Sequence, residues 1–216
     1  MVDAVKRTYT STLRARQARG TQEAIVAAAT RLFIERGFGP TTIDAVADAA
    51  GVSRKTVFTS VGGKVELLKV ALDWLLVGDE QAIALAERPE MRSTLLESDP
   101  VALLRGLARI VAGINNRLGA LYEVLIAAAG QDPAARVLLD ELEEQRRKFM
   151  SELVIPRLRE LGALRQDLRI EHAVDIAWLH TDPHVYVRLV LDRGWSPDEF
   201  EWWLHEAVCR QLLAPS

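Results

Sequence analysis

At 216 residues the chain can bury a sizeable core as one domain or two, and its composition, 49% hydrophobic but only 6% aromatic and rich in Ala and Leu, favours helices. A single cysteine, Cys209, excludes an internal disulfide framework and fits a reducing cytoplasm. The net charge of −3 is unevenly spread: residues 1–64 hold ten Lys or Arg against five Asp or Glu, leaving 17 basic and 25 acidic residues beyond them, the pattern of a polyanion-binding head on an acidic body. No leading apolar run resembles a signal peptide and no 18-residue apolar span is expected, so the reading is a cytoplasmic chain with no membrane partner.

The first dozen or so residues are polar and are expected to be disordered in the free protein. With Arg14, Arg16 and Arg19 they form a basic arm. A first helix is predicted over about 21 to 36, with Ile25, Ala28, Ala29, Leu32 and Phe33 on one face.

Residues 41–64, TTIDAVADAAGVSRKTVFTSVGGK, read as a helix, a tight turn and a second short helix. Thr41 or Thr42 starts the first, and Ile43, Val46, Ala47 and Ala50 make its buried face. Gly51 ends it, because glycine tolerates the left-handed conformation that a helix end often needs. Ser53 caps the next helix. There Val57 and Val61 point inward, Lys55 and Thr59 point the opposite way, and Thr56 and Phe58 lie on the flanks. A DNA major groove accepts such a helix. The plainer reading is an ordinary helix pair in a core; position near the basic N-terminus favours DNA.

A longer helix is predicted from Lys64 to about Ala86, followed by a loop from Arg88 to Asp99 that carries Pro89. Proline suits a first helical position, where its missing N–H would have no partner. Asp99-Pro100, Asp132-Pro133, Asp182-Pro183 and Ser196-Pro197 carry this signal, and Ser196 with Glu199 adds a capping box. Helices are therefore predicted near 100–118, 120–130, 133–161, 168–181, 183–193 and 197–213, with Gly162 and Gly194 as stops and Pro156 kinking the longest. No alternating strand pattern of useful length is present. In the last helix Phe200, Trp203, Leu204, Ala207, Val208 and Leu212 form one apolar face with Trp202 on its flank. This reads as a dimer interface, with packing inside one chain as the plainer reading.

Enzyme chemistry finds little footing. His180 and His184 are spaced i, i+4 with Asp182 between and His172 upstream, but Pro183 interrupts the helix and no Glu or Cys cluster accompanies them. Gly62-Gly63 lacks the spacing of a phosphate loop, and no Ser-His-Asp or Cys-His arrangement stands out. Asp140, Glu141, Glu143 and Glu144 are followed by basic residues and read as a solvated helix face. No catalytic residue, metal or cofactor is expected.

The run AIVAAATRLFIERGFGPTTIDAVADAAGVSRKTVFTSVGGKVELL resembles the DNA-binding domain of the TetR family of bacterial transcriptional repressors. The likeness lies in the AA..LF.ERGF..TT end of the first helix, the VA..AGVS turn, the TVF of the second short helix and the Lys that opens the next helix. It is specific over about 21 to 70. It is looser at WLHTDPHVYVRLVLDRGWSPDEFEWWL, which is similar to the last two helices of many members, and about 71 to 165 matches only as a helical pattern. The chain departs from the family at Phe58-Thr59-Ser60-Val61 and Gly62-Gly63-Lys64, where members often carry Tyr-x-His-Phe and a Ser or Asp cap.

The resemblance implies an all-α homodimer. A helix-turn-helix DNA-binding domain with a basic arm spans 1–63, and a ligand-binding and dimerisation domain spans 64–216. The expected function is a repressor released from a pseudo-palindromic double-stranded operator by a small-molecule effector. Expected DNA contacts are Thr41, Thr42, Ser53, Arg54, Lys55, Thr56, Phe58, Thr59 and Lys64. Trp74, Tyr122, Phe149, Trp178, His180 and His184 are candidates to line a pocket for a largely apolar ligand, since the enclosing helices carry few inward charges. A helix of about 30 Å from Lys64 to Ala86 would carry the signal. Phe200, Trp203, Leu204 and Val208 are the expected dimer face. A ligand-independent DNA-binding protein, architectural or cell-cycle, is the alternative, and a helical metal-dependent enzyme a more remote one.

Overall fold

The computed structural model describes the backbone of residues 2–78 and 84–215, and the side chains of the same residues apart from 2–16 and 77. Among the described residues the structure is all-α, with no strand and one isolated bridge between Leu164 and Leu213. Contacts divide the chain into two compact units, Met1–Asp73 with Val124–Arg136, and Trp74–Glu123 with Val137–Ser216.

In the first unit α1 spans Val2–Arg36, starting well before the expected residue 21. The expectation of disorder in the first dozen or so residues falls on side chains that lie outside the described residues. No proline precedes Pro40, and Ala, Arg, Gln and Leu favour helix strongly enough that Gly20, at a cost of about 1 kcal/mol, does not break it. The Arg14 and Arg16 side chains of the expected arm lie outside the described residues, and Arg19 is exposed. Ile25, Ala28, Ala29, Leu32 and Phe33 are buried, as their spacing predicts. Helices α2 (Ile43–Ala50) and α3 (Arg54–Ser60) pack on α1.

Helix α4 spans Lys64–Val77, short of the expected Ala86. Gly78, at φ +78°, takes the chain out of the helix, and Arg117 of α6 (Pro100–Ala129) donates to the carbonyls of Leu75 and Leu76 at 2.9 and 3.2 Å. A cation on the last free carbonyls stabilises a helix end there. The expected loop after it contains α5 (Pro89–Leu95), with Pro89 in its first turn and Met91 and Thr94 buried. Helix α6 runs unbroken through Gly119, where two helices were expected. A Cβ at that position would lie 3.2 Å from Cγ2 of Val187, so this glycine permits close approach rather than ending a helix. By length and composition α6 is also apolar enough to cross a membrane, which corrects the expectation that no such span exists. Asn115, Asn116 and Arg117 interrupt its apolar run, and half of its most apolar window is buried inside the protein.

Helix α7 (Pro133–Phe149) continues through a π turn, Met150–Val154, into α8 (Ile155–Glu160). The wider turn just before Pro156 makes room for a ring that cannot fit regular α geometry. Then come α9 (Ile170–His180), α10 (Pro183–Tyr186) with a second π turn at Val187–Leu191, and α11 (Pro197–Leu212) behind the predicted capping box. The second unit buries Leu103, Leu104, Val154, Ala177, Tyr186 and Phe200 in one core.

That core corrects the reading of α11. Phe200, Leu204 and Val208 are 0, 1 and 4% exposed within the single chain, and Trp203 is half-buried against the same cluster. The apolar stripe faces its own core, because the adjoining helices already supply Tyr186, Val174 and Leu107 to cover it. Phe200→Ala is expected to cost about 3–5 kcal/mol in urea unfolding. Leu96→Ala, at a side chain 74% exposed, should change it by under about 0.5 kcal/mol. Equal costs would contradict this packing.

Candidate nucleic-acid interface

The start of α2 divides the labour of two threonines. Thr42 is extended, and its hydroxyl oxygen accepts from the Ala45 N–H at 3.1 Å, capping the helix. Thr41 is 1% exposed and donates to the carbonyls of Leu32 and Gly37 at 3.1 and 2.8 Å. It ties the turn to α1, so burial withdraws it from any approaching polyanion. Gly51 ends α2 at φ +68°, and the Val52 N–H reaches back to Ala47 at 3.0 Å. Ser53 then accepts from the Thr56 N–H at 3.1 Å, and its hydroxyl pairs with that of Thr56 at 2.8 Å. Val57, fully buried, anchors α3 from beneath.

The outer face of α3 carries Arg54, Lys55, Phe58 and Thr59, all exposed. No hydrogen bond or ion pair engages the Lys55 amine among the described residues. Thr59 donates its hydroxyl back to the carbonyls of Lys55 and Thr56 at 3.0 and 3.1 Å, which leaves its methyl group free. Arg54 pairs with Asp44 at 2.8 Å and sits 5.6 Å from the Phe58 ring centre. Such an exposed pair adds little stability. Its weight is electrostatic, since it neutralises a carboxylate in the first turn of α2, beside the face a polyanion would meet. Lys64 is not free. Its amine donates to the Gly39 carbonyl at 2.9 Å and lies 4.3 Å from the Phe38 ring centre. Burial lowers its pKa, with Asp132 opposing the shift.

The residues selected for a pocket divide. Tyr122 is buried and donates to the Glu143 carboxylate, which pairs with Arg146 at 2.6 Å. Arg146 also pairs with Asp182 at 3.2 Å, donates to the Trp178 carbonyl and lies 4.9 Å from the Trp178 ring centre. Asp182 accepts from the His184 N–H at 2.7 Å, and burial raises its pKa against the pull of Arg146. His184 pairs with Glu123 at 2.6 Å. His180 instead contacts the Ile176 carbonyl at 2.8 Å and Gln211 at 3.0 Å, so the two histidines have different partners. Trp74 and Phe149 are half-buried. Among the described residues, none of the six lines either of two surface grooves, of about 540 and 420 Å³, around Arg159.

This cluster corrects two expectations. The helices do carry inward charges: the Glu143, Arg146 and Asp182 side chains are 25, 16 and 18% exposed. Glu143 therefore does not belong to the solvated face, whereas Asp140, Glu141 and Glu144 are exposed. The break between α9 and α10 explains both. Terminal carbonyls there need donors, which Arg146 and, at 3.4 Å to the Thr181 carbonyl, Asn115 supply.

A family model described as "Bacterial regulatory proteins, tetR family" matches residues 25–71. The HTH-type transcriptional regulator CymR of Pseudomonas putida is 30% identical over 165 residues, covering 76% of this chain and 76% of CymR. Two solved structures share the fold. NalD of Pseudomonas aeruginosa, the secondary repressor of the MexAB-OprM multidrug efflux pump, has a TM-score of 0.65 at 21% identity over 92% of this chain and 100% of NalD. The fatty acid degradation regulator FadR of Bacillus halodurans has a TM-score of 0.65 at 16% identity over 88% of this chain and 94% of FadR.

Thr41→Val keeps the shape of the side chain and removes its two hydrogen bonds. It should lower stability by about 1–2 kcal/mol in thermal or denaturant unfolding. It should leave the preferred DNA sequence unchanged in a gel-shift titration. A changed sequence preference at full stability would place Thr41 at the DNA instead.

Proposed function

We propose, because the chain belongs to the TetR family of bacterial transcriptional regulators, that it is a repressor acting as a homodimer on a pseudo-palindromic operator and released by a small-molecule effector. One observation carries the DNA reading. Lys55 stands exposed and unengaged on the outer face of a helix that Ser53 caps and Val57 anchors. A lysine so placed can donate to guanine O6 and N7, and the Thr59 methyl can meet a thymine methyl. Thr56 flanks them. Arg54, Phe58 and the capped start of α2 at Thr42 lie where phosphates would approach, and the basic arm adds sequence-independent attraction. Ser53 acts as a cap that holds this face together. Repression is favoured by the fold shared with NalD, itself a repressor.

Dimerisation is placed on the outer faces of α9 and α11, since the inner stripe of α11 is occupied. Leu179 and Trp202 are 53 and 65% exposed on these two helices, apolar surface that a second copy would cover. The effector is placed in the helical body. α4 contributes residues to both units and is about 21 Å long, so a ligand that favours one tilt of it shifts the binding-competent population. The Tyr122–Glu143–Arg146–Asp182 cluster points to a ligand with a polar group rather than a purely apolar one. Those side chains also satisfy one another, which favours ligand-independent DNA binding as the second reading.

Lys55→Ala should cost about 1–3 kcal/mol on the preferred site and relax the choice of base beneath it. Unchanged affinity and preference in a gel-shift titration would remove Lys55 from the base-reading set. The unmodified protein should scatter light as a dimer at micromolar concentration, and Leu179→Asp with Trp202→Asp should shift it to monomer. A dimer that survives both charges would move the interface elsewhere.

A further inference from the structure

The Lys64 ammonium faces inward, onto the turn between α1 and α2. It donates to the Gly39 carbonyl at 2.9 Å and lies 4.3 Å from the centre of the Phe38 ring. That ring stacks on Phe33 with centres 5.8 Å apart, and Phe33 is fully buried on α1. The turn continues through Pro40 and Thr41 into Thr42, the cap of α2. Thr41 fastens the turn from the α1 side, through the Leu32 and Gly37 carbonyls. Lys64 fastens it from the α4 side. Phe33, Phe38 and Lys64 thus form a continuous stack from the α1 core to the start of α4.

We propose that Lys64 is a positioning residue that pins the Gly37–Pro40 turn to the start of α4, and so fixes where α2 begins, rather than a residue that reaches a DNA phosphate. Reaching outward would take the ammonium off the ring and leave the Gly39 carbonyl without this donor. An ammonium over an aromatic face is held by the ring quadrupole, and most strongly when it is partly desolvated. The lowered pKa of Lys64 agrees with such desolvation. Asp132, which opposes that shift, belongs to the same compact unit. Three neighbouring cations thus do different work: Lys55 is unengaged among the described residues, Arg54 neutralises Asp44, and Lys64 holds the frame.

Only the DNA arm of the test rests on the DNA-binding reading. Hydrogen exchange on the free protein reads the start of α2 that the turn positions. In Lys64→Met and in Phe38→Leu the amides of Ala45 and Val46, which donate to the Thr42 hydroxyl and carbonyl at 3.1 Å each, should exchange about tenfold faster, while those of α1 near Phe33 keep their protection. Phe38→Tyr retains the ring and should exchange like the unmodified protein. On DNA selected by the unmodified protein, Lys64→Met and the uncharged-site variant Phe38→Leu should both bind about tenfold more weakly. Both should keep the unmodified slope of log affinity against log salt. A slope shallower by about 0.9 in Lys64→Met alone would mark a lost phosphate contact and overturn the proposal. Unchanged exchange at Ala45 and Val46 in Lys64→Met would overturn it as well. If the unmodified protein selected no DNA, the DNA-binding reading would fail and the exchange measurement alone would decide the role of Lys64.

Discussion

Helix α3 is seven residues long, and a helix that short does not hold together in water on its own. Its existence depends on what surrounds it. Gly51 turns the chain back within two residues of the Ser53 cap, and Val57 is buried against α1 and α2. Those contacts fix the rotation of α3 about its axis, and the rotation decides which side chains face solvent. The exposure of Lys55 and Thr59 therefore follows from the burial of Val57 on the opposite side.

Electrostatics then sorts residues that composition treats alike. A basic head on an acidic body suggests attraction to a polyanion, but charge totals do not say which cations are free. Arg54 has a carboxylate partner, Lys64 a carbonyl and a ring, and Lys55 neither among the described residues. Only an unengaged donor can respond to the pattern of acceptors on base edges without first breaking a bond. The body shows the reverse case. Arg146 is surrounded by Glu143, Asp182 and the end of α9, because a helix break in a packed interior leaves carbonyls that need donors.

Features set by neighbours in the chain were legible from the sequence. Pro100, Pro133, Pro183 and Pro197 open helices, Ser196 and Glu199 form their capping box, and Gly51 and Ser53 make the turn between α2 and α3. These signals act over three or four residues, so spacing reveals them. Features set by distant partners were hidden. Gly119 looks like a helix stop until Val187 is seen against it. The inner stripe of α11 looks like a free interface until Tyr186 is found upon it. Thr41, Glu143 and Lys64 look like surface residues, and each has polar partners that are remote in sequence or on another helix. The length of α1 was missed for another reason: its leading turns lack the apolar stripe from which a helix is recognised.

In the proposed function two copies of α3 read DNA together, each from a frame built by α1, α2 and α4. Selection of DNA fragments from a random pool by the unmodified protein tests it. Enrichment of a pseudo-palindrome is predicted, with half-sites separated by about one helical turn or a multiple of it, as two-fold symmetric readers require. Enrichment of no motif, or of a single asymmetric site bound by one chain, would contradict it.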